Sequence, residues 1–364
     1  MQHFNSKNKG KALVVGGSLS GLMTAIALAE EDIEVILLEK TAEGSREGAG
    51  LQVDGSRFYQ SKTEKRLRQL ASGGKATVEL WSSIEARLRN AAHKEPNIQL
   101  HFNQRVVEVG QSTETAWAET SEGERFHSDL LIGADGHRSL IREEVAPEKT
   151  NADFAGYLVW MASTPAEELP LDKRPEATNG DVKMMNSADG FLFGSVMKDK
   201  EGVTRVGCTW YDNSQTELLY RLGAVKDGVV QHTIQGEDLT NEDLENIIRK
   251  AKRNWPEPWK TATQYALESR NFLGTPIKEY YPERLIKGRI ALIGDAAHLP
   301  APITASGFND SLIDAVVLGE CVRSGIEGNK AIEALRDYED QRLGKVQRMV
   351  QSGMSFSRSF GRDR

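Results

Sequence analysis

The stretch KALVVGGSLSGLMTAIALAEEDIEVILLE, residues 11–39, decides the fold class. KALVV is a short run of strand-forming residues and GGSLSG (16–21) is a glycine turn. LMTAIALAEE (22–31) carries apolar side chains at 22, 23, 26 and 29, the spacing of one helix face, and IEVILLE (33–39) is a second strand. Strand, turn, helix and strand make a βαβ unit. Against the dinucleotide-binding pattern G-x-G-x-x-G, the turn matches at Gly16 and Gly21, with Ser18 in place of the second glycine. The first glycine makes the turn, the second lets backbone approach a pyrophosphate, and the third lets helix and strand close together. Serine is small enough to keep that approach, its hydroxyl can donate to phosphate, and the helix N-terminus attracts the anion. Glu39 ends the second strand 18 residues after Gly21, where an acidic side chain meets a ribose hydroxyl. Gly16, Gly17, Ser18, Ser20, Gly21, Glu39 and the adjacent Lys40 are therefore candidate nucleotide contacts.

Bulk properties limit the alternatives. A chain of 364 residues suggests two domains, and 39% hydrophobic with 27% charged residues is an ordinary globular composition. The net charge of −7, without a basic block, argues against nucleic acid as a partner. The polar start MQHFNSKNKGK has no signal-peptide core, and no run of 18 uncharged apolar residues predicts a membrane span. Cys208 and Cys321 offer neither a disulfide framework nor metal-ligand spacing, which fits a reducing cytoplasm; no metal is assigned.

Further along, RLRQLASGG and VELWSSIEARLRNAA read as helices, IQLHF, RVVEVG and TAWAE as strands of a meander, and SDLLIGADG as a strand ending in glycines. From about 150 to 285, strand-like pieces alternate with polar turns. One amphipathic helix interrupts them, LTNEDLENIIRKAKRNW, with Thr240 as its cap and Asp243 three residues on. RIALIG then returns to buried-strand texture, and the tail is helical. The expected architecture is α/β. A Rossmann-like nucleotide-binding domain comprises 1–150 and 286–364 with C-terminal helices, and a β-rich substrate domain, 151–285, is inserted into it.

Two more segments carry chemistry. In DLLIGADGHRSLIR (129–142) a strand runs into Asp135; Arg138 and Arg142, four apart, can share a helix face, or be two solvated arginines beside a capped turn. In GRIALIGDAAHLPAPITASGFNDSLIDA (288–315), Asp295 follows Gly294 at a strand end, where a carboxylate can accept from sugar or ribityl hydroxyls. The loop from Pro302 through Gly307, Phe308 and Asn309 leads into a helix whose positive end suits a group that gains negative charge, such as the N1–C2=O edge of a reduced flavin.

In this order the three segments resemble the single-component FAD-dependent aromatic hydroxylases of the para-hydroxybenzoate hydroxylase fold. The resemblance covers the nucleotide-binding part and, more loosely, the middle. It implies that VVGGSLSG holds the adenosine diphosphate of FAD, that GADGHRSLIR is the DG motif touching FAD and implicated in NAD(P)H use, and that GDAAH…P…GFN is the GD motif at the ribityl chain and ring. SREGAG (45–50) is similar to the R-x-GAG segment, making Arg46 an FAD contact, and Val107 is placed with the cofactor residues. GGSLSG, CTWYDN (208–213) and 272–298 look most like the 2,6-dihydroxypyridine hydroxylase branch. Trp81 stands where many relatives carry arginine, and Ala305 where many have a second glycine.

The implied reaction is hydroxylation of a small aromatic or heteroaromatic substrate, consuming O2 and transient NADPH or NADH, through a flavin C4a-hydroperoxide. His298 and Pro302 are the candidate catalytic residues, although His298 can equally cap the strand end. Phe191 and Phe193 on one strand face, with Trp210, are the candidate substrate pocket; Cys208 shares the Trp210 face and Tyr211 lies opposite. A reductase or dehydrogenase of the same fold, or a non-catalytic flavin-binding sensor, stays open, as does monomer against homodimer.

Overall fold

The computed structural model describes residues 9–44, 50–55, 58–73, 77–175, 182–198 and 202–361. The chain divides into two compact units, Met1–Ala152 with Tyr280–Gly353, and Asp153–Glu279 with Met354–Arg364. The last turns of the long helix Lys330–Phe360, which the sequence reading joined to the first domain, group with the second unit. There Phe356 and Phe360 meet the ring of Tyr157.

The first unit is built on a six-stranded sheet. Its order is Ile286–Lys287, Ile290–Leu292, Leu130–Gly133, Lys11–Val15, Glu34–Leu38, Ile98–His101. All neighbours are parallel except the first pair. Its central strands are almost uninterrupted Val, Ile, Leu and Ala, as a parallel sheet covered on both faces requires. IQLH thus joins the parallel sheet beside Glu34–Leu38; only Val106–Gln111, Ala116–Thr120 and Arg125–Ser128 form the meander. The expected helix VELWSSIEARLRNAA is likewise shortened. Thr77–Leu80 is a strand paired with Gly50–Val53, and the helix begins at Trp81. Thr and Val favour the extended pairing that this two-stranded sheet offers.

The helix Leu19–Ala29 is buried nearly all round. It packs closely on the helix Gly307–Cys321, where a Cβ on Gly319 would lie 3.2 Å from Ala27 Cβ. A small residue in the last turn of each helix permits this approach.

The second unit is an eight-stranded sheet. The helices Asn241–Asn254 and Trp259–Glu268 cover one face, with a core that includes Trp160, Cys208, Trp210, Trp255 and Trp259. The capping box read from sequence forms: Thr240 Oγ1 accepts from Asp243 N–H, and the Asp243 carboxylate accepts from Thr240 N–H. Among the described residues no helix is long and apolar enough to cross a membrane.

Candidate functional site

The glycine turn sits at the C-terminal end of Lys11–Val15, between the parallel neighbours Glu34–Leu38 and Leu130–Gly133. Two of its glycines are sterically obligatory. A Cβ on Gly16, which has φ +107°, would lie 2.3 Å from the Ala134 carbonyl oxygen, and one on Gly21 would lie 1.8 Å from the Gly16 oxygen. Ser18 caps the helix by position, yet its hydroxyl accepts no capping hydrogen bond. Glu39 is buried, and its carboxylate accepts from Gly17 N–H at 2.7 Å and from Thr41 N–H and Oγ1–H at 2.9 and 2.8 Å. It therefore fixes the turn against the strand end. Ser20 lies in the first helical turn and Lys40 is exposed.

The next strand over, Leu130–Gly133, delivers Asp135. Its Oδ2 accepts from Leu140 N–H at 2.8 Å and Ile141 N–H at 3.4 Å, at the start of the short helix Leu140–Val145. Its Oδ1 is buried without a hydrogen-bond partner. Burial raises the Asp135 pKa; the Ser139 hydroxyl and the nearby N–H groups oppose that rise without cancelling it. A buried carboxylate oxygen lacking a donor is a natural seat for a ligand hydroxyl.

Arg142 is fully buried, not solvated. Its guanidinium donates to four main-chain carbonyls: Ala296 (2.8 Å), Asp295 (2.8 Å), His137 (3.0 Å) and Thr150 (3.1 Å). Its Cζ lies 4.0 Å from the centre of the Tyr280 ring. Burial lowers its pKa, countered by the charges or potential charges of Tyr280, Asp135 and Asp295. One side chain thus staples the turn after Gly133 to the turn after Ile293. Arg138, its expected companion, is exposed.

Asp295 is exposed at the end of Ile290–Leu292, in a short 3-10 turn, Gly294–Ala296. Gly294 has φ +56°, and a Cβ there would lie 2.8 Å from Ser20 Cβ, so this turn and the glycine turn approach one another. Behind it lies a buried charge cluster unforeseen in the sequence. Asp314 Oδ2 accepts from Gly294 N–H (3.0 Å) and lies 2.7 Å from His298 Nε2, while Asp314 Oδ1 accepts from Arg342 Nε–H at 2.7 Å. Burial alone would raise the Asp314 pKa; the charges of His298 and Arg342, with the hydrogen bonds from His298 and Gly294, outweigh it and hold the group at about 2. The clue in the sequence is a lone carboxylate inside the apolar run LIDAVVLG.

His298 is completely buried in this cluster, against Asp314. Pro302 is exposed and opens the 3-10 turn Pro302–Thr304. Ala305 follows in the left-handed region, φ +51°, a conformation that favours glycine. Gly307 begins the next helix and Phe308 is buried. Asn309 clamps the strand Gly50–Val53: its side chain donates to Gln52 O at 3.1 Å and accepts from Asp54 N–H at 3.0 Å. Val107 is 46% exposed and sits at a register shift between Val106 and Glu108. Arg46 lies outside the described residues.

The expected pocket trio separates in the second unit. Across the pairing of Gly190–Lys198 with Thr204–Asp212, Phe191 faces Tyr211 and Phe193 faces Thr209, but Trp210 faces Leu192. Phe191 stacks on Tyr211 (4.5 Å between centres, 15°) and Phe193 meets Phe191 edge-on at 5.5 Å. Trp210 points to the other side, edge-on to Trp255 at 5.5 Å in the helix-covered core. Period-two alternation excludes Trp210 from a surface shared with the two phenylalanines.

The first unit fits FAD on its own features: a glycine cradle that any Cβ would fill, an uncapped helix start, and a buried carboxylate oxygen awaiting a donor. The comparisons agree. The family model described as "FAD binding domain" matches residues 46–353. The 3-hydroxybenzoate 6-hydroxylase of Klebsiella oxytoca is 24% identical, covering 96% of this chain and 88% of that protein. The 2,6-dihydroxypyridine 3-monooxygenase of Paenarthrobacter nicotinovorans is 22% identical over 96% of this chain and 94% of its own length. The solved 2,6-dihydroxypyridine-3-hydroxylase from Arthrobacter nicotinovorans superposes with a TM-score of 0.77 at 20% identity, covering 98% and 95% of the two chains. With the model spanning most of the chain and the cradle built from its own residues, this protein belongs to the FAD binding domain family, alongside flavin-dependent aromatic monooxygenases.

Proposed function

We propose that this protein is an FAD-dependent monooxygenase that consumes NAD(P)H and O2 to hydroxylate a small aromatic or heteroaromatic ring. The observation that carries the reading is the convergence of three turns, Gly16–Gly21, Asp135–Ser139 and Gly294–Asp295, at the ends of adjacent parallel strands, two of them joined by Arg142. The redox chemistry, hydride acceptance from NAD(P)H and activation of O2, is what FAD supplies when bound. The names of the relatives, which act on 3-hydroxybenzoate and 2,6-dihydroxypyridine, support an aromatic substrate.

In this reading Gly16 to Gly21 and the helix start at Leu19 hold the diphosphate. Glu39 takes the adenosine ribose, with Lys40 next to it in sequence; Arg46 and Val107 are further FAD contacts in this reading. Asp135 and Asp295 accept from sugar and ribityl hydroxyls. The helix start at Gly307, with Phe308 and Asn309, stabilises negative charge on the reduced ring. The main chain after Pro302 orients the reacting region, and His298 steadies the turn that carries Asp295. Phe191 and Phe193 belong to the substrate surface.

The test is aerobic NAD(P)H consumption by the FAD-loaded protein across phenols, hydroxybenzoates and hydroxypyridines, with product masses recorded. Stimulation by one class, with a product one oxygen heavier, is expected. Bound FAD with no stimulation by any compound would refute the hydroxylase reading in favour of a sensor or reductase.

A further inference from the structure

We propose that the aromatic face of the second unit receives its ring ligand as a neutral molecule, a phenol or hydroxylated nitrogen heterocycle without a carboxylate. The inference rests on the reading of an aromatic substrate and narrows its class.

The face is defined by register. Phe193 is flanked in the sheet by Met184 on one side and Thr209 on the other, and Phe191 by Asn186 and Tyr211. Phe193 is only partly buried and Met184 is 55% exposed, so this part of the face is open within the unit, whereas Phe191 and Tyr211 are covered by Phe356 and Phe360 or by each other. A flat ring set against Phe193 gains the edge-to-face contacts that Phe191 and Tyr211 already make with it. The polar side chains near it on this face include Thr209, paired directly with it, and Asn186, two residues from Met184 on the neighbouring strand; both are neutral and both can donate and accept.

Formal charge is kept away. Among the described residues of these strands, the basic group on this face is Arg205, four residues before Thr209 on the same strand, on the order of 13 Å along it. At the opposite end of the face stands Glu279, a buried carboxyl that accepts from Ser357 Oγ at 2.8 Å and offers no positive charge to an anion. Lys183, Lys198 and Lys278 alternate to the other side, and Lys183 Nζ lies 5.7 Å from the Trp259 ring there. Burial also pushes the Tyr211 phenol up to about 12. The same loss of solvation opposes a carboxylate brought to its side, and among the described residues of these strands no cation stands next to Phe193 to compensate. A neutral phenol meets no such penalty and can exchange hydrogen bonds with Thr209 and Asn186.

The test uses the full FAD-loaded chain and matched pairs, 3-hydroxybenzamide against 3-hydroxybenzoate and 3-hydroxypyridine against its 2-carboxylate, with binding followed by flavin absorbance and tryptophan fluorescence at neutral pH. The neutral member of each pair is expected to bind at least about tenfold tighter. A carboxylate that binds equally well or better overturns the proposal, and so does failure of every neutral compound to bind. Met184→Arg, at an exposed position, and Thr209→Lys place a cation beside Phe193; each should move the preference about tenfold toward the carboxylate. An unchanged preference in both folded variants also overturns it. NAD(P)H consumption is measured separately. Tight neutral binding without stimulated consumption sinks the hydroxylase reading and leaves the neutral ligand standing.

Discussion

Arg142→Met is the most informative single perturbation of the cofactor unit. The guanidinium bonds four carbonyls, one of these bonds fully buried and three partly so, and stacks on Tyr280. A hydrogen bond to a charged donor contributes about 1.5–3 kcal/mol, and a buried acceptor left alone costs about 1–3 kcal/mol. Two effects reduce the sum. Removing the guanidinium also removes its own burial penalty, visible in its lowered pKa, and the partly buried carbonyls can rehydrate. The expected loss is about 2–4 kcal/mol of unfolding free energy, measured by urea denaturation of the apo-protein. FAD affinity should also fall by at least about tenfold, because the Asp295 turn loses its tie to the Asp135 turn. Arg142→Lys should be intermediate: an ammonium has three donors and no planar fork to reach four carbonyls. A stability change under about 0.5 kcal/mol with unchanged FAD affinity would refute the stapling role.

Further outcomes follow from the same geometry. Gly21→Ala should abolish FAD retention or prevent folding, because its Cβ would sit 1.8 Å from a main-chain oxygen; flavin content of the purified variant reads this directly. Asp314 is held below its unfolded pKa, so its contribution to stability is present at neutral pH and is lost as pH falls from about 4 toward about 2. Asp314→Asn should therefore flatten the acid limb of a stability–pH curve and lower stability at neutral pH. Burial pushes both thiols, Cys208 and Cys321, up to about 12, so neither should react quickly with a disulfide reagent in the native protein, and both should react once it is unfolded.

What the sequence disclosed was local. The βαβ unit and the turns at Gly16, Asp135 and Gly294 are legible because each is a short strand followed by residues that only certain backbone shapes tolerate. The capping box at Thr240 is legible for the same reason. Long-range partners were not. Arg142 looks like a surface residue until its four carbonyls, two of them more than 150 positions away, are brought to it. Asp314 and Arg342 are 28 residues apart with nothing in their spacing to join them. Trp210 shows the limit most clearly. Alternation correctly set Trp210 and Tyr211 on opposite faces, but only the cross-strand register, Phe191 against Tyr211 and Leu192 against Trp210, tells which face each phenylalanine shares. IQLH and TVEL were misplaced because a four-residue strand takes its sheet from its neighbours rather than from its own pattern.

The central claim is that this protein inserts an atom of dioxygen into an aromatic ring. It is tested most directly by turning over the compound that best stimulates NAD(P)H consumption under 18O2 and weighing the product. The account predicts a hydroxylated product carrying one labelled oxygen, formed only when FAD is bound. A product labelled from water instead, or oxidised NAD(P)H with the aromatic compound recovered unchanged for every compound tried, would contradict it.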